Sequence, residues 1–395
     1  MLQKIKRIVK EKILRPLLLR KYAMLDINKN KIVVDNFYGK GYGDNPKYII
    51  NSLQKKRNDL DIVWLVDKPT SNFKGNIRQV PITSFKALKE LSTAAVWIDN
   101  IRNFPKPPKR KNQFYLQTWH AGLGIKSSEA QIENLLSDDY IATVKEDAKK
   151  TNLMLSDSQW TTDIYSHYFW YDGEIIESGF PRNDILITKP KIIKDKIYNN
   201  FSIQKNYKII LYAPSFRDYE NNMDAYRHDF FSILESAEQK FNQKYCVLIR
   251  LHPNISDEVK KNIEYRFDNH RIYDASNYPD MQELIVATDI LITDYSSCMF
   301  DSMIARKKTF LLASDYKSFI QEDRKLLFDV QKDLPFSLSL TDEQLINNIK
   351  KFNMVNYLNS IKEFEKSVKL KEPGNASEII ADLILEYMFK LNIKR

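Results

Sequence analysis

Short apolar runs recur along this chain at helix-length intervals, and that alternation restricts its fold more than any other feature. Lys31 to Phe37, Asp61 to Val66, Ala94 to Asp99, Phe114 to Thr118 and Leu153 to Leu155 read as strands, with helical patterns between most of them. Parallel strands need crossovers and helices supply them, so the pattern predicts an α/β fold with a parallel sheet covered on both faces. After a mixed polar stretch near residues 188 to 205 the pattern restarts. Strands are expected at Tyr207 to Tyr212, Tyr245 to Arg250, Arg271 to Tyr273, Asp289 to Thr293 and Thr309 to Leu312, followed by helical segments from Thr341 onward. Two similar sheets follow from this, and a length of 395 residues accommodates a separate core for each.

The formal charge of +10 directs the surface toward anions without naming them. Its distribution says more. Residues 1 to 21 hold Lys4, Lys6, Arg7, Lys10, Lys12, Arg15, Arg20 and Lys21 against Glu11, interleaved with Leu2, Ile5, Ile8, Val9, Ile13, Leu14 and Leu17 to Leu19. That spacing suits a basic amphipathic helix over residues 1 to 25, either lying on an anionic membrane face or packed on the protein. Charges interrupt every apolar stretch, so the segment does not read as a secretory signal, and no window is long enough for a transmembrane span. The expected place is the cytoplasm, peripheral on the inner membrane face. Cys246 and Cys298 each sit in an apolar run, which excludes a disulfide framework and a thiolate metal cluster. No helix-turn-helix or zinc motif and no aromatic platform points to a nucleic-acid partner.

Ligands of open parallel sheets bind at the carboxyl ends of the strands, and here those positions are polar. One strand exit reads Thr118-Trp119-His120-Ala121-Gly122-Leu123-Gly124-Ile125-Lys126, and another Tyr212-Ala213-Pro214-Ser215-Phe216-Arg217. Two more read Arg250-Leu251-His252-Pro253 and Thr293-Asp294-Tyr295-Ser296-Ser297. Imidazoles, hydroxyls, guanidiniums and a glycine loop are what a diphosphate needs: Arg217 and Arg250 neutralise phosphoryl oxygens, and Ser296 and Ser297 present hydroxyls. The serine pair also reads as a helix cap and His252 as a turn residue; His120, between Trp119 and a glycine loop, reads as functional. No acidic or histidine pair has metal-ligand spacing, so the protein is expected to supply the positive charge itself. The loop Gly39-Lys40-Gly41-Tyr42-Gly43-Asp44 lacks a following Gly-Lys-Ser/Thr and is expected to be a mobile loop lining the interdomain cleft on the acceptor side.

Taken in order, Gly39 to Tyr48, Thr118-Trp119-His120, Gly179-Phe180-Pro181-Arg182-Asn183-Asp184, Tyr212 to Arg217, Arg250-Leu251-His252-Pro253 and Tyr278-Pro279-Asp280 through Ser297 resemble the CDP-glycerol glycerophosphotransferase family of teichoic-acid and capsule enzymes. The likeness spans roughly residues 30 to 380. It implies a GT-B fold of two Rossmann-like lobes facing a cleft: an acceptor lobe over residues 26 to 190, a CDP-donor lobe over 200 to 345, and closing helices over 346 to 395. Donor contacts carried over by position fall on Trp119, His120, Arg182, Pro214, Ser215, Arg250, His252, Ser296, Ser297 and Asp301, with Arg217 beside them. His120 becomes the base, His252 a second catalytic candidate, and Gly41, Tyr42, Asp44 and Lys126 the acceptor side. The chain departs from the family where many members read Trp-His-Gly-Thr-Pro and it has Trp119-His120-Ala121-Gly122-Leu123. It also lacks the large amino-terminal region of the long polymerases, which favours a primase or capsule-type enzyme.

The implied reaction moves a polyol phosphate, glycerol phosphate first, from CDP-glycerol or CDP-ribitol to a hydroxyl of a lipid-linked saccharide or polyol-phosphate acceptor, releasing CMP. Phosphoryl transfer needs mostly positioning and charge neutralisation, which such a residue set provides. The rival readings are a GT-B glycosyltransferase using a nucleotide sugar and a basic nucleic-acid or membrane-binding module.

Overall fold

The computed structural model describes residues 13–71, 73, 75–102, 106–216, 226–252, 270–322 and 325–393. The first half of the chain forms a seven-stranded sheet from β1 (Asn28–Val34), β2 (Asp61–Val66), β3 (Ile77–Pro81), β4 (Ala94–Asp99), β5 (Phe114–Gln117), β6 (Leu153–Ser156) and β7 (Glu174–Glu177), in the order β3-β2-β1-β4-β5-β6-β7. The second half forms a six-stranded sheet from β8 (Tyr207–Tyr212), β9 (Lys244–Ile249), β10 (Ile272–Asp274), β11 (Ile290–Thr293), β12 (Lys308–Leu312) and β13 (Ser337–Ser339), in the order β10-β9-β8-β11-β12-β13. Every pairing is parallel. Two parallel α/β sheets are what the alternating pattern predicts, and they match the GT-B-like arrangement that the resemblance implies.

In each sheet the strand order reverses beside its first strand, between β1 and β4 and between β8 and β11. Such a reversal leaves the two adjoining loops diverging to opposite faces, and the gap between them is where open α/β sheets take ligands. The expected strands include the central ones, which are apolar because helices cover both faces: β4 is buried throughout, with Trp97 among the largest fully buried side chains. The structure adds β3, β7 and β13, three edge strands that the sequence pattern does not reveal. Their exposed sides carry Arg78 and Gln79, Glu174, and Ser337, so no apolar run marks them.

The last helix, Ala376–Ile393, returns to the first lobe, where Ile380, Ala381, Ile384 and Met388 complete a core with Ile32, Val34, Ile49 and Trp64. Of the expected amphipathic helix, residues 1–12 lie outside the described residues. Its described part, Arg15–Ala23, is helical with a proline in the first turn and buries no residue. Leu17, Leu18 and Leu19 are consecutive and so spread around the helix, which departs from the expected single apolar stripe. Among the described residues no helix is long and apolar enough to cross a membrane.

Candidate active site

The loop after β1 is fixed by its own backbone. One oxygen of Asp35 accepts the N–H groups of Asn36 and Gly39, each at 2.8 Å, and Gly39 C=O accepts from Asp67 N–H at 2.9 Å. Gly39 has φ +83°, and a Cβ there would fall 2.4 Å from the Asp67 nitrogen, so only glycine fits this approach. The loop lines the larger chamber as a turn held by these bonds. Burial and the nearby Asp99 push the Asp35 carboxyl up to about 8.

Asn100, the first residue after β4, connects this turn to the loop after β5. Its Oδ1 accepts Phe37 N–H at 2.8 Å, its Nδ2 donates to Asn36 Oδ1 at 2.9 Å, and its backbone carbonyl lies 2.9 Å from His120 Nδ1. A carbonyl only accepts, so Nδ1 carries the proton and Nε2 of the neutral ring is left as a base. The imidazole packs against Phe37 and Trp119, with ring centroids 5.3 and 4.4 Å away. Burial pulls its pKa below the ordinary value, with Arg182 acting in the same direction and the Asn100 bond and Asp44 opposing. Trp119 has φ +53°; its N–H bonds to Gln117 Oε1 at 2.9 Å and its carbonyl accepts Asn45 Nδ2 at 3.0 Å.

The second lobe supplies the facing wall. Asp294 Oδ1 accepts Ser215 N–H at 2.8 Å and Tyr295 N–H at 2.6 Å, bringing the exits of β8 and β11 together. Ser297 stands at the N-cap of the helix Cys298–Ile304 without a side-chain cap bond, and Ser296 Oγ meets Cys298 N–H only at 3.4 Å. Capping therefore accounts poorly for the serine pair. Trp119, His120, Ser215, His252, Ser296 and Ser297 line one chamber of about 450 Å³ between the lobes. Lys126 lines it too, with its ammonium 4.7 Å from the centre of the Phe319 ring. Gly41, Tyr42 and Arg250 line a larger chamber of about 1150 Å³. The Arg250 guanidinium makes no hydrogen bond or ion pair with another side chain among the described residues, and burial lowers its pKa. Tyr42 donates to Asn51 at 2.6 Å and packs on Trp64 and Phe73.

Several of the expected site residues meet one another. Arg182, expected on the donor, donates from Nη1 to Asp44 Oδ2 at 2.9 Å and to the His120 carbonyl at 2.6 Å, and from Nη2 to Asp301 Oδ1 at 3.2 Å. Asp301 and Asp44, expected on donor and acceptor, are the carboxylates of this cluster, because an unpaired charge is too costly where all three side chains are nearly buried. Pro214 is buried and lines neither chamber. Arg217 lies outside the described residues.

Sequence reasoning missed Asn100, though the strand-exit rule applied to Ala94–Asp99 points to it. It also missed Lys47, which crosses between lobes to Asp280 at 2.6 Å and Glu283 at 2.9 Å. Among the described residues no group of three His, Cys, Asp or Glu is placed to hold a metal ion.

The profile of the CDP-glycerol:poly(glycerophosphate) glycerophosphotransferase family matches residues 17–386. A teichoic acid poly(glycerol phosphate) polymerase of Bacillus spizizenii is 30% identical over 400 residues, covering 95% of this chain and 100% of the relative. A polymerase of the same description from Staphylococcus epidermidis is 29% identical over 370 residues, covering 91% of this chain; the chain spans about half (51%) of that relative's length. The solved wall teichoic acid polymerase TagF superposes with a TM-score of 0.82 at 27% identity, over 99% of this chain and 98% of the other.

Proposed function

The chain belongs to the CDP-glycerol:poly(glycerophosphate) glycerophosphotransferase family, and on that premise we propose that it transfers glycerol phosphate from CDP-glycerol to a hydroxyl of a teichoic-acid precursor, releasing CMP. The observation that carries this reading is His120, an imidazole with Nδ1 tied to a backbone carbonyl and Nε2 available, in a chamber shared with Ser215, His252, Ser296 and Ser297.

The acceptor hydroxyl attacks the distal phosphorus of the donor in line with the bridging oxygen. A new P–O bond forms, the phosphoanhydride bond breaks, and CMP departs with the electron pair. His120 Nε2 takes the hydroxyl proton as the bond forms and later returns it to solvent, a task suited to an imidazole near neutral pH. Ser296, Ser297 and His252 hold phosphoryl oxygens and the departing CMP from the small chamber, and Arg250 contributes positive charge from the large one. The contacts of Ser296, Ser297 and His252 strengthen as charge shifts to the leaving group, so they lower the barrier more than they tighten ground-state binding, whereas Arg250 holds the donor in ground and transition states alike.

The test is CMP release by the purified protein, offered CDP-glycerol, CDP-ribitol and a panel of UDP- and GDP-sugars with a lipid-linked primer. Primer-dependent release from CDP-glycerol is expected. Turnover of a nucleotide sugar alone overturns the reading.

The protein also works at an anionic membrane surface in this reading. Ile13, Leu14, Leu17 and Met24 are exposed beside Arg15, Arg20 and Lys21, which supports contact with headgroups. Co-sedimentation with anionic but not zwitterionic vesicles is expected, weakened by Leu14→Ser with Leu17→Ser; equal sedimentation with both vesicle types refutes it.

A further inference from the structure

We propose that Asp35 is a positioning residue for the transfer reaction: it works as a neutral carboxylic acid, and in that form lets the turn after β1 hold Asn100, and through Asn100 the His120 base. The inference rests on the reading of His120 as base and goes beyond it by assigning a buried acid, outside both chambers, that the reaction needs in one protonation state.

The strand register brings two acids together. Val34 lies opposite Ile98 in the parallel pair β1–β4, and Asp35 N–H donates to the Ile98 carbonyl at 2.9 Å, so the next residues, Asp35 and Asp99, leave the sheet side by side. Both border a cavity of about 10 Å³, which β2 and the helix Phe85–Thr93 face with the apolar Leu65 and Leu91. A space of that size holds about one water molecule, so a hydrated counter-ion has no room. Two adjacent carboxylates in a dry site do not both ionise.

The cation at this cavity, Lys106, serves other acids. Its Nζ lies 2.7 Å from Asp99 Oδ2 and 2.9 Å from Oδ1 of Asp147, whose carboxyl also accepts the Tyr115 hydroxyl at 3.0 Å. Farther off, Arg102 stands 3.8 Å from Asp147 and 4.0 Å from Glu129. Among the described residues Asp35 is thus the acid of this group that neither cation touches.

A neutral acid suits the surroundings of Asp35. Its Oδ1 accepts the N–H groups of Asn36 and Gly39, and its Oδ2 is buried with no hydrogen-bond partner among the described residues. One oxygen acts as the carbonyl acceptor, and the other carries the proton. The two N–H bonds and Lys106 favour the anion, but burial and Asp99 outweigh them. The turn gathered on Oδ1 is the one that Asn100 grips through Asn36 and Phe37, while the Asn100 carbonyl meets His120 Nδ1; β2 joins the turn through the Asp67 backbone N–H. Ionising Asp35 sets a second negative charge beside Asp99 and competes for Lys106 at the foot of this chain of bonds.

The experiment compares Asp35→Asn, Asp35→Ala and Asp99→Asn with the full-length protein by CMP release across neutral and alkaline pH. Asparagine keeps the acceptor oxygen and puts an N–H donor in place of the acid hydroxyl, so Asp35→Asn is expected to hold kcat at pH 7 within about threefold of the parent. Asp35→Ala frees both N–H groups and lowers kcat by roughly 10- to 100-fold, with the donor KM changed by less than about twofold. In the parent, kcat falls through a pKa of about 8 as the proton leaves. This alkaline limb is absent from Asp35→Asn and moves to lower pH in Asp99→Asn, which removes a charge that keeps the proton on Asp35. Infrared difference spectra, parent minus Asp35→Asn, show a protonated-carboxyl band at pH 7 that is lost on the alkaline side, where hydrogen exchange over residues 36–41 accelerates in the parent relative to Asp35→Asn.

A kcat of folded Asp35→Asn more than about threefold below the parent at pH 7 overturns the proposal, because it marks an acid needed as an anion. So does an alkaline limb that is missing from the parent or kept by Asp35→Asn. Should Asp35→Asn not fold, Asp99→Asn decides: a limb moved to lower pH supports the proposal, and one unmoved or moved upward overturns it. If the parent releases no CMP from any CDP-polyol, the functional reading falls on its own. The spectra then decide the state of Asp35: a carboxyl band at pH 7 with alkaline loss and faster exchange supports the proposal, and no band at pH 7 overturns it.

Discussion

His120→Ala separates the role of a base from that of a phosphate ligand. A positioned general base contributes about 10²- to 10⁴-fold, or roughly 3–5 kcal/mol of barrier. The structure places the expectation in the upper half of that range. Nδ1 is committed to the Asn100 carbonyl, so the tautomer is correct before substrate arrives, and burial with Arg182 keeps the ring neutral near pH 7. Little is lost by waiting for the right protonation state, so removing the ring removes a fully competent base.

The same substitution deletes one hydrogen bond, net about 1 kcal/mol, and aromatic contacts with Phe37 and Trp119 worth about 1 kcal/mol together. The stability cost is smaller than the kinetic one, so the variant remains folded while turnover collapses. Urea unfolding checks the first part, and CMP release with calorimetric donor titration checks the second. Expected are kcat lower by roughly 10³- to 10⁴-fold, donor Kd within about threefold, and partial rescue by free imidazole. In the parent, kcat/KM falls on acidification through a pKa below about 6.5, because protonation of His120 removes the base; this acid limb is absent from the unrescued variant. Turnover within about threefold of the parent refutes the reasoning, as does a large loss of donor affinity with kcat retained.

Three further outcomes follow from particular contacts. Arg250→Ala removes a guanidinium that no described side chain pairs, and losing a charged hydrogen bond of about 1.5–3 kcal/mol is expected to weaken CDP-glycerol binding by about 10- to 100-fold in calorimetry while kcat at saturating donor changes little. Gly122→Ala would set a methyl group 1.8 Å from Asp157 Oδ2 and 2.5 Å from the Phe180 ring; a destabilisation of about 1–3 kcal/mol is expected in urea melts, together with loss of turnover because the His120 loop must move. Lys47→Met removes the first-lobe cation that Asp280 and Glu283, neighbours at the start of one second-lobe helix, share, at about 2–4 kcal/mol since Lys196 and Tyr278 still serve Glu283. Burial alone would raise the Glu283 carboxyl, but Lys47 and its other partners hold it well below the usual range, so the stability it adds is present above its unfolded pKa and fades as pH falls. The gap between parent and Lys47→Met is therefore expected to be widest near pH 7 and to narrow as the pH falls from 4.5 toward about 2; a gap that widens on acidification refutes the assignment.

The central strands were legible because burial on both faces leaves an apolar run, as in Ala-Ala-Val-Trp-Ile from residue 94 to 98. The edges were not, because an edge strand such as β7, Glu174–Glu177, answers to solvent on one side and reads as loop. The same division runs through the site. His120, Ser215, His252, Ser296 and Ser297, which line one chamber, were visible because each sits just past a strand, where a polar residue interrupts an apolar pattern.

Residues that hold other residues carry no such local mark. Lys47 and Asp280 are 233 positions apart, and Arg182 lies 138 from Asp44 and 119 from Asp301. In the sequence each is an ordinary charged residue, and Arg182 resembles a phosphate ligand because both tasks call for the same fork. The distances show which protein acceptors meet its nitrogens: Asp44, the His120 carbonyl and Asp301. Asn100 falls between these cases: it has the position of a ligand residue and the contacts of a positioning one. His120 is thus held from two directions that the sequence separates, by the Asn100 carbonyl after β4 and by Arg182, whose guanidinium also meets Asp44 of the first lobe and Asp301 of the second.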